Sequence, residues 1–416
     1  MNRIARVRLA CLVLFLSPVT GWAGTDYFAY SYGGIEVTAY GNGAYAVNLA
    51  RYCLRMDTLL TQLLQLKTRA PPRVHIYALT QAQMDAFAGR DAGASYRSGG
   101  YDSVVLLPAA STGGDYWGAY FGYISALLNS DRLLGGPDWY QAGVPLVFAV
   151  SSFEHGKVKL GAVAAGYAVT LTQSARIPMR TFLTMKASEA RAQGERVRDM
   201  FDAQSWGLAH EIFVESFRRA EFNKYLDLVR HGTAEADAFK ASFAMSYEDL
   251  DHELDIAFRQ RPRIYVMDAP ADPLPPNATA LPLSGAQVAG SLALLRVRYE
   301  KGPDALQLAN AALASEPGNQ DALRALALTQ LEKGAYAQAL DAVDRLAAAG
   351  PTPAAQTDSA QVLAGLAAAV AQGNASLLVD APTLRRRAQE DYQKALAADD
   401  GDRRARAGLA QLARAP

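Results

Sequence analysis

The sequence predicts two modules of different class, an α+β N-terminal domain followed by an all-α solenoid of helical repeats. Three observations predict this. Short runs of β-branched and aromatic residues alternate with helical periodicity up to about residue 262. Five prolines then fall within residues 268–284. Beyond residue 285 the chain turns Ala/Leu-rich, helical and repetitive.

The N-terminus is set apart from both modules. Arg3, Arg6 and Arg8 precede an apolar run over residues 9–19, and Gly21-Trp22-Ala23 supplies small residues at the cleavage positions. This pattern predicts a signal peptide over residues 1–23, cut after Ala23, and export to the periplasm or beyond. The run is too short to cross about 30 Å of hydrocarbon. Cys11 lies inside it, not after it, which argues against a lipid anchor. Cleavage leaves 38 basic and 41 acidic side chains, a net charge of −3. Such a balance gives no electrostatic reason to expect nucleic acid or an anionic membrane as partner. No later stretch is long and apolar enough to span a bilayer. One cysteine, Cys53, remains, so no intramolecular disulfide forms, and it reads as a buried apolar residue.

Within residues 25–262, strands are predicted at 73–78 and 101–107 from their β-branched and aromatic content. A helix is predicted over 44–66, its apolar face carrying Leu59, Leu60, Leu63, Leu64 and Leu66. Further helices are predicted at 117–129, 205–220 and 247–259. Residues 263–284 read as an extended, Pro-rich linker. In residues 285–416, Glu300-Lys301-Gly302 recurs as Glu332-Lys333-Gly334, and Pro317 and Pro351 lie 34 residues apart. That is the tetratricopeptide period. Ala327, Gly334, Tyr336 and Ala339 sit where the repeat needs small or aromatic residues. A third pair is predicted as 383–398 with a partner helix after it, using Ala388, Tyr392 and Ala395. Stacked hairpins of this kind bind protein or peptide segments and perform no chemistry themselves.

A zinc peptidase of the thermolysin-like group needs two histidines four apart on one helix, with a glutamate beside the first as general base. After Ala23 the histidines are His75, His155, His210, His231 and His252, and no two are four apart. The surrounding layout is nevertheless familiar. It runs Phe121-Gly122-Tyr123-Ile124-Ser125-Ala126-Leu127-Leu128, then Pro137-Asp138-Trp139-Tyr140-Gln141-Ala142-Gly143-Val144-Pro145-Leu146-Val147-Phe148. Downstream come Ala203-Gln204-Ser205-Trp206 and Ser246-Tyr247-Glu248-Asp249-Leu250.

In this order the segments resemble the bacterial peptidase MA-like gluzincin domain, over residues 25–262. The resemblance implies a cleft framework of Tyr123, Trp139, Tyr140 and Gly143. It also implies that Phe121 and Ser125 occupy the two ligand-histidine positions and Gly122 the general-base position. Ala142 occupies the third-ligand position and Leu146 the acidic position after it. With these residue types no zinc is held and no water is activated, so the expectation is a pseudo-metallopeptidase without catalytic residues, metal or cofactor.

Ser205 supplies a rival reading. It lies in Ala203-Gln204-Ser205-Trp206-Gly207, with Asp249 and His252 following in triad order. A nucleophile elbow needs a strand before the serine, whereas residues 188–202 are charged and helix-prone. Ser205 therefore reads as a helix N-cap with Trp206 buried. Glu154-His155 and His210-Glu211 read as chance pairs, His210 packing within an apolar helix. His75 reads as half-buried in a strand, and Arg385-Arg386-Arg387 as a solvated helix face. The predicted function is an exported, non-catalytic pseudopeptidase whose repeats bind a protein or peptide. The alternative is an active hydrolase using Ser205, Glu154 or an unrecognised metal site.

Overall fold

A computed structural model describes residues 26–63, 72–89, 94–98, 103–109, 116–130, 135–162, 165–260, 262–300 and 304–414. The predicted signal peptide, and Lys301 and Gly302 of the first repeat motif, lie outside the described residues.

The N-terminal part is α+β. Strands β1 (Tyr27–Tyr32) and β2 (Ile35–Tyr40) form a hairpin, and helix α1 (Gly43–Leu63) leads to β3 (Val74–Leu79). Helix α2 (Gln81–Ala88), β4 (Ser95–Ser98) and β5 (Ser103–Pro108) precede α3 (Trp117–Ser130) and α4 (Asp138–Ala149). A second hairpin, β6 (Ser152–Glu154) and β7 (Lys157–Leu160), is followed by α5 (Ala165–Gln173), α6 (Met179–Phe182) and α7 (Ala187–Ala192). Then come α8 (Glu195–Phe213), α9 (Arg219–Arg230), α10 (Glu235–Ser242) and α11 (Tyr247–Phe258). Strands β8 (Tyr265–Asp268) and β9 (Leu281–Pro282) end this part.

The main sheet has the order β4-β5-β3-β2-β1-β9. Strands β2, β3 and β5 run parallel, while β1, β4 and β9 pair antiparallel at the two sides. The β1–β2 turn is Gly33-Gly34, with φ of 58° and 82°. Only glycine takes two such values in succession cheaply, and they match a tight hairpin. One sheet face, including Val37, Ile76 and Val105, packs under α1 and α3 with Cys53 and Tyr123. Burial pushes the Cys53 thiol well above its ordinary range. The other face presents Tyr77, Leu79, Val104 and Leu106 to Met84 and Phe87 of α2.

The C-terminal region is helical: α12 (Gly285–Leu295), a π-turn at Arg296–Glu300, then α13 (Ala305–Ser315), α14 (Gln320–Glu332), α15 (Tyr336–Ala348), α16 (Pro353–Ala371), α17 (Ala381–Ala398) and α18 (Arg403–Arg414). These form the hairpins α12/α13, α14/α15 and α16/α17, with α18 packed after them. The partner of α17 is therefore the helix before it, α16, in contrast to the pairing expected from the sequence. Leu363, Leu366 and Ala367 of α16 meet Leu384, Ala388 and Tyr392 of α17 in one cluster, a longer apolar seam than α18 offers. Side chains of Ser284, Asn319, Thr352 and Asp380 cap α12, α14, α16 and α17, each satisfying an otherwise orphaned backbone N–H.

The two regions share a core. Val288, Leu292 and Leu295 of α12 complete the sheet face that α2 only half covers, as a parallel sheet buried on both sides requires. The Pro-rich stretch between the regions is extended but anchored. Strand β8 pairs with β7, β9 pairs with β1, Leu274 is buried in the sheet core, and Asp272 meets Arg51 at 3.0 Å. Among the described residues no helix is long and apolar enough to cross a membrane.

Candidate functional site

The positions matched to the zinc-peptidase pattern lie on α3 and α4, which pack together between the main sheet and α8. Gly122 rests against β5: a Cβ there would stand 2.4 Å from Val105 Cγ2. Phe121 stacks on Trp117 with ring centroids 5.2 Å apart. The buried Ser125 hydroxyl donates to the Phe121 carbonyl at 2.8 Å, a helix back-bond that occupies its proton. Phe121, Ala142 and Leu146 pack into one apolar cluster with Ile124 and Val147. Tyr123, Trp139 and Tyr140 are buried, and Tyr123 donates to Asp57 Oδ1 at 3.2 Å. Gly143 marks the crossing of α4 over α8, where a Cβ would stand 2.0 Å from the Ser205 carbonyl oxygen. Among the described residues, no three His, Cys, Asp or Glu side chains gather as a ligand set.

Ser205 is not a helix N-cap. Helix α8 begins ten residues earlier, at Glu195 after Gly194, and ends at Phe213. Its first turns carry Glu195, Arg196, Arg198 and Asp199 toward solvent, while Met200 and Phe201 are buried in the core. The Gln204 side chain binds both the N–H and C=O of Ile177, at 2.6 and 2.9 Å, and ties the loop before α6 to mid-helix. Ser205 is fully buried against α4, and its Oγ has no hydrogen-bond partner. A serine nucleophile needs a base within reach. Asp249 is instead occupied capping α11 through Ser246, which holds its carboxyl below the usual range, and His252 is exposed.

The remaining sequence candidates each have local partners of their own. Glu154 is exposed and pairs with Lys159 at 2.8 Å, while His155 occupies the β6–β7 turn at φ 49°. His75 is half-buried, its ring stacked on Tyr77 and its Nε2 3.1 Å from Thr38 Oγ1. Burial lowers its pKa, with Glu36 opposing. His210 is buried with Nε2 3.3 Å from the Gly161 carbonyl, and burial lowers its pKa too.

A charged cluster on the inner face of the hairpin array was not anticipated. Asp358 of α16 accepts from Arg298 at 2.6 and 2.8 Å, from Arg324 of α14 at 2.6 Å, and from Arg404 of α18. Burial opposes its ionisation, but the three guanidiniums outweigh that and hold its carboxyl far below the usual range. The end of the main sheet faces this cluster. Arg73 pairs with Asp399, the Ser291 hydroxyl donates to Tyr77 at 3.2 Å, and only about 50 Å³ of space remains beside Glu36, His75, Arg298 and Arg324. The inner face is thus occupied by the chain's own N-terminal part. A groove of about 710 Å³ lies at the C-terminal end of the array, lined by Arg385, Arg386, Gln389 and Gln393 of α17 and Leu409 and Leu412 of α18. A sequence signal existed for the cluster: Arg324 is a charge within an Ala/Leu run, and Asp358 follows it by one 34-residue period.

No protein-family model matches the chain, and neither does any curated protein or any solved structure.

Proposed function

We propose that this chain is an exported, non-catalytic binding protein. Its N-terminal part is a gluzincin-like domain emptied of its zinc chemistry, and its C-terminal hairpins are tetratricopeptide-like repeats that take a protein or peptide segment. The observation that carries the reading is the packing of α3: the general-base position, Gly122, is pressed onto Val105 with no room for a side chain. Phe121 and Ala142 at two ligand positions are apolar, and the Ser125 hydroxyl is bonded to its own helix. A zinc hydrolase needs the opposite, an open coordination position with a carboxylate beside it. For binding, the groove between α17 and α18 sets Leu409 and Leu412 beside Arg385 and Arg386, the latter also paired with Glu390 at 3.3 Å, a composition suited to an amphipathic segment.

The test is elemental analysis of the purified mature protein, together with peptide cleavage measured with and without a chelator. The reading expects no stoichiometric zinc and no chelator-sensitive cleavage. Either one, in a preparation free of contaminating protease, overturns it.

A further inference from the structure

A second cavity, of about 310 Å³, lies in the N-terminal part between α5, α8 and the end of α11, away from the α3–α4 positions. The spacing of α8 builds it. Trp206 and His210 are four apart and share a face, with Gly207 between them and Glu211 one step further round. Gly207 lets the neighbours close in as a floor, since a Cβ there would stand 2.7 Å from Leu171 Cδ1 and 3.0 Å from Phe258 Cε1. The walls are apolar and aromatic, from Val169, Leu171, Trp206 and Phe258.

Into this lining α8 places one half-buried carboxylate, Glu211, and among the described residues no hydrogen bond or ion pair reaches it. Among the described residues the nearby cations are committed elsewhere. Arg259 on the rim pairs with Asp255 at 3.0 Å, Arg176 pairs with Asp255 at 2.7 Å, and Arg263 pairs with Glu215 at 3.5 Å. Burial, then the neighbouring Glu215, raises the Glu211 carboxyl from 4.5 to about 7. An acid placed in an apolar, water-accessible cavity without a counter-ion costs stability, and a cationic ligand would remove that cost.

We propose that this cavity is a binding site for a small organic cation, an amine carried on an apolar or aromatic body. Glu211 receives the ammonium, and the apolar lining of Val169, Leu171 and the edges of Trp206 and Phe258 receives the body. The site is separate from the partner-binding groove and does not depend on it.

The test uses the full mature chain, calorimetric titration and saturation-transfer NMR, with three probes of similar body: phenethylamine, benzyl alcohol and phenylacetate. Phenethylamine should bind, benzyl alcohol should bind about tenfold or more weakly, and phenylacetate should show no binding. Glu211→Gln, which removes an unfavourable buried acid and so should fold, should weaken phenethylamine at least about tenfold. Val169→Trp, which fills the mouth from an exposed position, should abolish binding of phenethylamine and benzyl alcohol. Equal binding of the amine and the carboxylate, an unchanged affinity in Glu211→Gln, or no amine binding at millimolar concentration would overturn the proposal.

Discussion

Arg324 Nε stands 2.6 Å from Asp358 Oδ2, both side chains almost wholly removed from water and one 34-residue period apart on successive inner helices. The pair does not stand alone, since Arg298 and Arg404 converge on the same carboxylate. Removing the shared anion would leave three inward guanidiniums without it.

Asp358→Asn is therefore expected to destabilise the protein by about 3–5 kcal/mol in urea unfolding at pH 7. The sign with pH is set by the depressed carboxyl. The stabilisation is full above the unfolded value of about 3.9 and declines as pH falls toward the much lower folded value. The gap between wild type and variant should hold from pH 7 to about 5 and narrow below about 4.

Gly122→Ala places a methyl into Val105 and is expected to cost about 1–3 kcal/mol. Val105→Ala in the same chain should recover part of that loss, and a double-mutant cycle in chemical denaturation measures the coupling. By the same crowding, the quadruple change Phe121→His, Gly122→Glu, Ser125→His and Ala142→Glu should fail to give a folded zinc protein unless β5 is also trimmed.

Ser205→Ala removes a buried hydroxyl that has no partner. Thermal unfolding should show the variant as stable as the parent or more stable by about 1 kcal/mol. A nucleophilic role would instead show as lost hydrolytic activity.

Glu211 has its carboxyl raised from 4.5 to about 7, so between those values the folded chain holds more proton than the unfolded chain. Its contribution is present below pH 4.5 and is lost as pH rises through 7. Relative to Glu211→Gln, the wild type should lose about 2 kcal/mol between pH 4.5 and 8, the ideal value discounted for the half-exposed position. The difference is read from paired unfolding curves, with the neighbouring Glu215 left unchanged.

Ending the chain at residue 284 uncovers Tyr77, Leu79, Val104 and Leu106 by removing Val288, Leu292 and Leu295. Each of those three contributes about 1.5–3 kcal/mol of burial. The shortened protein should bind a hydrophobic dye and aggregate, while the full chain should not. A soluble shortened chain with cooperative unfolding would show that the N-terminal part folds without α12.

Much of the fold was legible locally. The strands at Val74–Leu79 and Ser103–Pro108 and the helices Gly43–Leu63, Trp117–Ser130 and Tyr247–Phe258 agree with the sequence reading to within a few residues, because each carries its own periodicity. The Gly33-Gly34 hairpin had a readable turn signal between two alternating runs that the reading passed over. The start of α8 was misplaced because Ser205 has the chemistry of a cap, while nothing local reveals that Gln204 is held by Ile177 and that Ser205 faces Gly143. The pairing of α17 with α16 was missed because the period gives helix spacing but not which neighbour shares the longer seam.

The sequence by itself determined the class of each region and the residue types at the α3–α4 positions, since periodicity and side-chain chemistry are properties of the chain. Tertiary structure alone decided that Gly122 has no space beside it, that Asp358 gathers three arginines, that the sheet occupies the inner face of the hairpins, and that Glu211 enters a cavity with no counter-ion among the described residues. Each of those depends on residues far apart in sequence meeting at van der Waals or hydrogen-bond distance, which no local pattern encodes.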